Sequence, residues 1–273
     1  MNDVPRQSKE ATHAATDRRS RPHPTTSAPQ PVRDQIFASK AGKLADFNFG
    51  AQTASVFDDM LDRSVPLYPE LQRMIGEIAR EFAQPGSNVY DLGCSTGITL
   101  GTLRQSVTPD ARLIGIDYSR AMLDKAAERF APGTPGAVVE LREADLNHGV
   151  AIENASVVVI NLTLQFVRPL YRDRLVGSIF HGLNDQGCLI LVEKVLGNAS
   201  LINRLFINLY YEMKKRNGYS ELEIAQKREA LENVLVPYRV DENMELLRRT
   251  GFKIADIFYK WYNFCGIVAV KTS

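Results

Sequence analysis

"VYDLGCSTGITL", residues 89–100, decides how the rest of the chain is read. Val89-Tyr90-Asp91-Leu92 closes a strand. Five small residues, Gly93, Cys94, Ser95, Thr96 and Gly97, make a turn, and a helix follows. In such a unit backbone N–H groups and a helix N-terminus come close to a ligand, which bulky side chains would hold off. The order does not match G-x-x-x-x-G-K-[ST], so a nucleoside triphosphatase loop is excluded. A serine stands at position 95, where nucleotide-binding loops of this kind usually carry their middle glycine.

Outward from the loop, strands and helices alternate. The pattern predicts strands over 88–92, 112–116, 137–141, 156–161 and 188–193, and helices over 97–106, 119–129 and 170–182. Short apolar runs separated by amphipathic helices indicate a parallel sheet with helices on both faces. The run Val157 to Ile160 is apolar throughout, as a strand covered on both sides should be. Upstream, Leu71, Met74, Ile75, Ile78, Ala79 and Phe82 recur at helical spacing until Pro85-Gly86 stops the helix.

Downstream, residues 200–236 insert two helices. The first carries a stripe of Ile202, Leu205, Phe206, Leu209 and Met213 and closes at Asn217-Gly218, and Ser220 with Glu223 fits a capping box for the second. A helix near 242–250 and two strands, 252–261 and 264–271, end the chain as a hairpin on the sheet edge. The fold class expected is α/β, a doubly wound, mostly parallel seven-stranded sheet with an inserted helical pair. Residues 1–33, rich in Pro, Ser, Thr, Ala and Arg, are read as a disordered tail. Residues 34–273 are read as a single domain in which 34–87 form a helical cap.

The bulk numbers exclude several functions. A chain of 273 residues with 44% hydrophobic and 24% charged residues is ordinary for a soluble globular protein. A net charge of +1 gives the whole chain no electrostatic footprint for nucleic acid. Cys94, Cys188 and Cys265 and the four histidines show no metal-ligand spacing, so no metal is expected, and the sparse, odd cysteine count suits a reducing compartment. No apolar run approaches the roughly 20 residues that cross a bilayer, and the N-terminus lacks a secretory apolar segment. A cytoplasmic protein without membrane attachment is the expectation.

Polar residues at the strand ends point to a ligand. Asp91-x-Gly93-x-Ser95-x-Gly97 is close to the D/E-x-G-x-G-x-G loop of S-adenosylmethionine enzymes. Asp117 ends the second strand, twenty positions after Gly97, where a carboxylate can accept both ribose hydroxyls of an adenosine. Asp145 follows the third strand and can accept from an adenine amino group, and Asn161 ends the fourth at the same sheet edge. Each alone is an ordinary turn residue. Together they mark a nucleoside site. NAD is the competitor, and Asp91 fits a ligand bearing an amino group better than a pyrophosphate.

On the second inserted helix, Ile224, Leu231 and Leu235 form a stripe with Arg228 in its middle and Lys227 toward its flank. A guanidinium there calls for an anion, and its planar fork suits a carboxylate. The plain alternative is a snorkelling arginine or a structural ion pair. Lys214-Lys215-Arg216 is read as helix capping against the macrodipole. Cys94 is read as a small filler, since no histidine lies nearby in sequence to activate it.

"RSVPLYPEL" (63–71), "QPGSNVYDLGCSTG" (84–97), "IENASVVVINLTLQF" (152–166) and "RNGYSELEIAQKREALENV" (216–234) resemble the signature segments of bacterial carboxy-S-adenosyl-L-methionine synthases. The likeness runs from about residue 35 to 271. It implies a class I S-adenosylmethionine-dependent methyltransferase-like fold and conversion of S-adenosyl-L-methionine and prephenate to carboxy-S-adenosyl-L-methionine, with phenylpyruvate and water. It also implies a homodimer that does not itself bind nucleic acid, whose product a separate enzyme uses to carboxymethylate the tRNA wobble uridine (cmo5U34). The matching binding positions are Tyr68, Gly93, Cys94, Ser95, Asp117, Tyr118, Asp145, Leu146, Asn161 and Arg228, with Arg228 and Tyr68 as the catalytic pair. Gly-Cys-Ser is this family's own form of the loop, and Tyr118 stands where an Asn is common.

The implied chemistry gives the arginine a purpose. A sulfonium acidifies its methyl group, so deprotonation yields an ylide able to capture carbon dioxide released from prephenate. Arg228 would hold the new carboxylate, within its own subunit or across a dimer. Lys194 and Tyr68 are candidates for prephenate itself. No protein general base is evident, and the hydroxide leaving prephenate can take the methyl proton. The rivals are a methyltransferase acting on a small molecule or RNA, in which Arg228 would have no purpose, and a non-enzymatic sensor of an adenosyl ligand.

Overall fold

Seven strands form one sheet in the order β3-β2-β1-β4-β5-β7-β6. They are β1 (Asn88–Leu92), β2 (Arg112–Asp117), β3 (Val139–Glu143), β4 (Ala155–Asn161), β5 (Leu183–Lys194), β6 (Ile254–Trp261) and β7 (Phe264–Val270). The first five pair in parallel, and β7 runs antiparallel to both β5 and β6. The computed structural model describes residues 32–40, 45–130 and 136–272. The tail expected over 1–33 lies outside the described residues, except for Val32 and Arg33.

Successive side chains on a strand point to opposite faces, and both faces of this sheet are covered. Val89, Val157, Val159, Ile190 and Val192 meet Leu71, Ile75 and Ala79 of α2 (Tyr68–Phe82) and Leu100 and Leu103 of α3 (Ile98–Ser106). Their neighbours Tyr90, Leu92, Val158, Ile160, Leu189 and Leu191 meet Leu175, Val176 and Ile179 of α5 (Pro169–Gly182) and Leu246 and Leu247 of α8 (Val240–Arg249). That double coverage is why β4 is apolar on both sides. Truncating a buried residue such as Ile75 to alanine would cost about 2–5 kcal/mol.

A third cluster joins Ala54, Phe57 and Met60 of α1 (Ala51–Ser64) to Met122 of α4 (Arg120–Arg129). The helices within residues 34–87 are α1 and α2. The inserted pair is α6 (Ser200–Arg216) and α7 (Glu221–Leu231). Ser220 Oγ accepts from the Glu223 N–H at 3.2 Å while Glu223 Oε2 accepts from the Ser220 N–H at 2.7 Å, the reciprocal capping expected.

Three details differ from the sequence expectation. Strand β3 runs over Val139–Glu143 rather than 137–141. Strand β5 begins at Leu183 rather than 188, pairing there with Ala155 before a register shift. Only the C-terminal half of α6 is buried, through Tyr210, Met213 and Lys214. The apolar stripe at its start stays on the surface, with Leu205 48% exposed.

Strand order places β1 between β2 and β4, so successive connections leave it in opposite directions. The crevice above the carboxyl ends of β1, β2 and β4 is the ligand position in such sheets.

Candidate functional site

The turn after β1 sits at that crevice, and its two glycines are required by geometry. Gly93 has φ +78°, and a Cβ there would lie 2.3 Å from the Thr163 side chain. Gly97 has φ +81° and would bring a Cβ to 2.8 Å from the Phe130 ring. Ser95 also adopts a left-handed conformation, φ 47°, although it is not glycine. Its N–H donates to Asp117 Oδ2 at 2.9 Å, which fixes the turn on the end of β2.

The loop's amides are largely consumed inside the protein. The Gly93 and Cys94 N–H groups donate to Ile116 O at 2.7 and 3.0 Å, and Gly97 N–H donates to Cys94 O at 2.8 Å. The expectation that loop N–H groups cradle a ligand is therefore corrected at these positions. What the small residues provide is close approach of the chain. Asp91 is corrected too: it is 1% exposed and lies beneath the loop, where burial pushes its carboxyl up to about 8. It does not line the pocket.

One pocket gathers Tyr68, Gly93, Cys94, Ser95, Asp117, Tyr118, Asp145, Leu146 and Asn161. Asp117 accepts from the Ser95 and Ser119 N–H groups (2.9 and 2.8 Å), and burial raises its carboxyl above the usual range. Asp145 caps a short 3-10 turn, Leu146–His148, and accepts from the Asn147 backbone N–H at 2.9 Å. Asn161 Nδ2 donates to Thr99 Oγ1 at 3.2 Å, whereas its buried Oδ1 has no hydrogen-bond partner among the described residues. That carbonyl is an unpaired acceptor on a residue that lines the pocket. Burial raises the phenol of Tyr68 and the thiol of Cys94, with Asp91 adding to both, so neither ionises readily. The reading of Cys94 as filler agrees.

The sequence reading missed the roof. Phe47, Phe49, Phe57, Met60 and Leu61 line the pocket from the segment before α1 and from α1 itself. The roof is tied down where Thr96 Oγ1 donates to Asp58 Oδ1 at 2.7 Å and Ser119 Oγ donates to Phe49 O at 2.5 Å. Arg129 bridges Asp58 and the Thr96 carbonyl. Aromatic residues at uneven spacing before a helix carry no periodic signal, so nothing in the pattern marked them.

The cationic residues are rearranged relative to expectation. Arg228 is exposed and borders a separate groove with Asn208, Tyr211, Glu212, Lys215 and Glu221. Within one chain it does not reach the nucleoside pocket. Lys227, assigned to the flank, is instead 7% exposed and lines the pocket together with Lys194. The buried side of α7 is Glu223, Ile224, Gln226, Lys227 and Ala230. Their spacing fits one helix face, but three of the five are polar and hid it. Lys214, assigned to capping, is buried and lies 4.9 Å from the Tyr219 ring centre.

Among the described residues no three His, Cys, Asp or Glu side chains are grouped to hold a metal ion, and no helix is long and apolar enough to cross a membrane.

Comparison with known proteins agrees with this geometry. Residues 89–187 match the family model described as a methyltransferase domain. The S-adenosylmethionine-dependent methyltransferase SibL superposes with a TM-score of 0.58 at 15% identity, covering 88% of this chain and 65% of that one. Human N-acetylserotonin methyltransferase, in complex with SAM, gives 0.54 at 13% identity, covering 82% and 56%. These likenesses establish the fold. The carboxy-S-adenosyl-L-methionine synthase of Methylococcus capsulatus is 60% identical over 240 residues, 88% of this chain and 99% of that protein. The chain belongs to the carboxy-S-adenosyl-L-methionine synthase family. The synthase of Aeromonas hydrophila, 44% identical over 243 residues, covers 89% of this chain and 97% of its own. Membership makes the chain an enzyme, and the class I methyltransferase fold expected from the strand–turn–helix alternation is the one observed.

Proposed function

We propose that this enzyme converts S-adenosyl-L-methionine and prephenate to carboxy-S-adenosyl-L-methionine, with phenylpyruvate and water as by-products. The observation that carries the reading is the single pocket in which Tyr68, the Gly93-to-Ser95 turn, Asp117, Asp145 and Asn161 converge at the sheet's switch point. Asp117 and Asp145 suit the ribose and adenine. The acceptor on Asn161 and the close-approaching Gly93 suit the methionyl end.

In the reaction, the ring carboxylate of prephenate leaves as carbon dioxide and its electrons expel the ring hydroxyl as hydroxide. Hydroxide takes a proton from the sulfonium methyl, giving water, and the methyl carbon bonds to carbon dioxide. No protein base is consumed. Excluding bulk water is the protein's contribution to that transfer, and the aromatic roof over the pocket supports it.

The new carboxylate calls for a cation, and Arg228 is assigned to it. Because Arg228 faces away from its own pocket, we place it in the pocket of a second copy, in a homodimer. Leu201, Leu205, Asn208 and Glu212 recur along one face of α6, so the exposed apolar start of that helix leads into the groove beside Arg228. A twofold dimer would bury this strip twice and exchange both arginines. The product then serves cytoplasmic tRNA wobble-uridine (cmo5U34) modification by a separate enzyme.

The experiment is turnover of the purified protein with both substrates, following phenylpyruvate and the sulfonium nucleoside together. Equal release of phenylpyruvate and carboxylated nucleoside supports the reading. Methylation of an added acceptor with no use of prephenate would instead favour an ordinary methyltransferase.

A further inference from the structure

The wall of the pocket formed by β5 and α7 is cationic, and neither the adenosine nor the sulfonium of the nucleoside explains it. Lys194 ends β5 and Lys227 sits on the buried side of α7, and both side chains line the pocket. Asp117 ends β2, three strands away from β5 in the sheet order, so Lys194 stands roughly 14 Å from the ribose side. The two ends of one pocket therefore carry opposite charge.

The lysines are poorly compensated. Lys227 Nζ has no hydrogen-bond partner among the described residues, and its nearest carboxylate is Asp34 Oδ2 at 3.8 Å. That oxygen already accepts from the Tyr219 hydroxyl at 2.7 Å. Lys194 Nζ lies 4.8 Å from the Tyr210 ring centre. Lys214 stands behind them against the Tyr210 and Tyr219 rings. Burial lowers Lys194 to about 8, and burial with help from the neighbouring cations lowers Lys227 to about 8 and Lys214 to about 7. A nearly buried ammonium without a hydrogen bond costs stability. A sulfonium cation cannot relieve it. A ligand carboxylate can, and the nucleoside's dissociation constant in the lysine variants separates its own methionyl carboxylate from that of a second substrate.

We propose that Lys194 and Lys227 form the subsite for the carboxylate of prephenate that survives the reaction, the one on its pyruvyl arm. This rests on the two-substrate reading above. The choice between the two carboxylates follows from the chemistry. The ring carboxylate loses its charge on the way to carbon dioxide, so an ammonium gripping it would stabilise the ground state more than the transition state. The pyruvyl carboxylate keeps its charge throughout and remains in phenylpyruvate. Lysines that hold it orient the ring toward the sulfonium without opposing decarboxylation. The apolar side chains of Leu231, Leu235 and Phe264 line the same pocket and suit a six-membered carbon ring. Phenylpyruvate, a monocarboxylate lacking the reacting group, then occupies the same subsite and competes with prephenate.

The test compares wild type with Lys194→Met and Lys227→Met for three quantities: KM for prephenate, the inhibition constant of phenylpyruvate, and the dissociation constant of S-adenosylmethionine. Each substitution is expected to raise the first two together by about tenfold or more, the loss of one charge-assisted hydrogen bond. The nucleoside constant should stay within about threefold. Lys194→Arg and Lys227→Arg should recover part of the phenylpyruvate affinity, a rescue that a purely structural role would not give. Unchanged phenylpyruvate inhibition in both methionine variants overturns the subsite, as does an equal loss of nucleoside affinity. Direct calorimetric titration with phenylpyruvate separates this from the parent reading. Lysine-dependent phenylpyruvate binding without prephenate turnover would support the subsite and contradict the synthase reaction.

Discussion

Lys227 and Arg228 are neighbours on α7 that serve opposite sides of it: Lys227 lines the nucleoside pocket, and Arg228 lies exposed beside a surface groove. A helix turns about 100° per residue, so the two side chains leave it in different directions, and here they line different pockets. In the proposed homodimer the pair would divide the anionic groups of the reaction between one subunit's pocket and its partner's.

Arg228→Ala should abolish most carboxylation while leaving S-adenosylmethionine affinity within about threefold, a change under 1 kcal/mol. Mixing Arg228→Ala with a variant whose own pocket is blocked should restore activity, because each mixed dimer regains one complete site. Leu205→Glu, on the exposed strip of α6, should shift the protein to monomer in sedimentation velocity and remove the same activity.

Gly93→Ala adds a methyl group at φ +78° and within 2.3 Å of Thr163. The expected loss of stability is about 1–3 kcal/mol, read by urea unfolding. Nucleoside affinity should fall with it, because the loop must move to relieve the contact.

Asp117→Asn tests the ribose carboxylate and the loop together. The carboxylate accepts from Ser95 and Ser119 N–H groups, one on each oxygen. An amide can accept at only one oxygen and turns an NH2 toward the other donor. Affinity for S-adenosylmethionine should fall on the order of tenfold to a hundredfold, measured by calorimetry.

The buried lysines give a pH dependence with a defined sign. Around Lys227 stand Lys194 of β5, Lys214 of α6, Tyr219, Asp34 and Arg63 of α1, with Asp59 beside Tyr219, Glu223 beside Lys214, and Tyr210 beside Lys194 and Lys214. Desolvation first, then the neighbouring cations, lowers Lys227 to about 8, while Asp34 opposes the shift. The unfolded chain keeps its lysine proton to about pH 10.4, so over this window it binds more protons than the native state. The penalty of the buried charge is full below pH 8 and is relieved as pH rises toward 10. The stability advantage of Lys227→Met over wild type should thus be largest near pH 7 and shrink by pH 10. An anion binds the protonated lysines, so phenylpyruvate affinity should decline as pH rises through 8. A flat profile in wild type would contradict this assignment.

Much of this was legible in the sequence because it depends on local pattern. The strand–turn–helix around Gly93 to Gly97, the alternation that follows, and the capping box at Ser220 are set by residues close together in the chain. Nine of the pocket's lining positions, from Tyr68 to Asn161, were likewise accessible through motif and resemblance. The roof was not, because Phe47, Phe49 and Phe57 pack by tertiary contact and show no period. The buried side of α7 was hidden by the polarity of Glu223, Gln226 and Lys227, a consequence of facing a charged pocket rather than an oily core. Arg228 on its apolar stripe was the reverse error: Ile224 faces inward, but the stripe turns outward at Arg228.

The proposed reaction couples decarboxylation of prephenate to carboxylation of a sulfonium nucleoside in one pocket. The direct measurement uses prephenate labelled in its ring carboxylate, incubated with the protein and S-adenosylmethionine, followed by mass spectrometry of the nucleoside. The account predicts that the label appears in a nucleoside heavier by one carboxyl group, one for each phenylpyruvate formed. Label recovered only as free carbon dioxide or bicarbonate, beside unmodified S-adenosylmethionine, would contradict it.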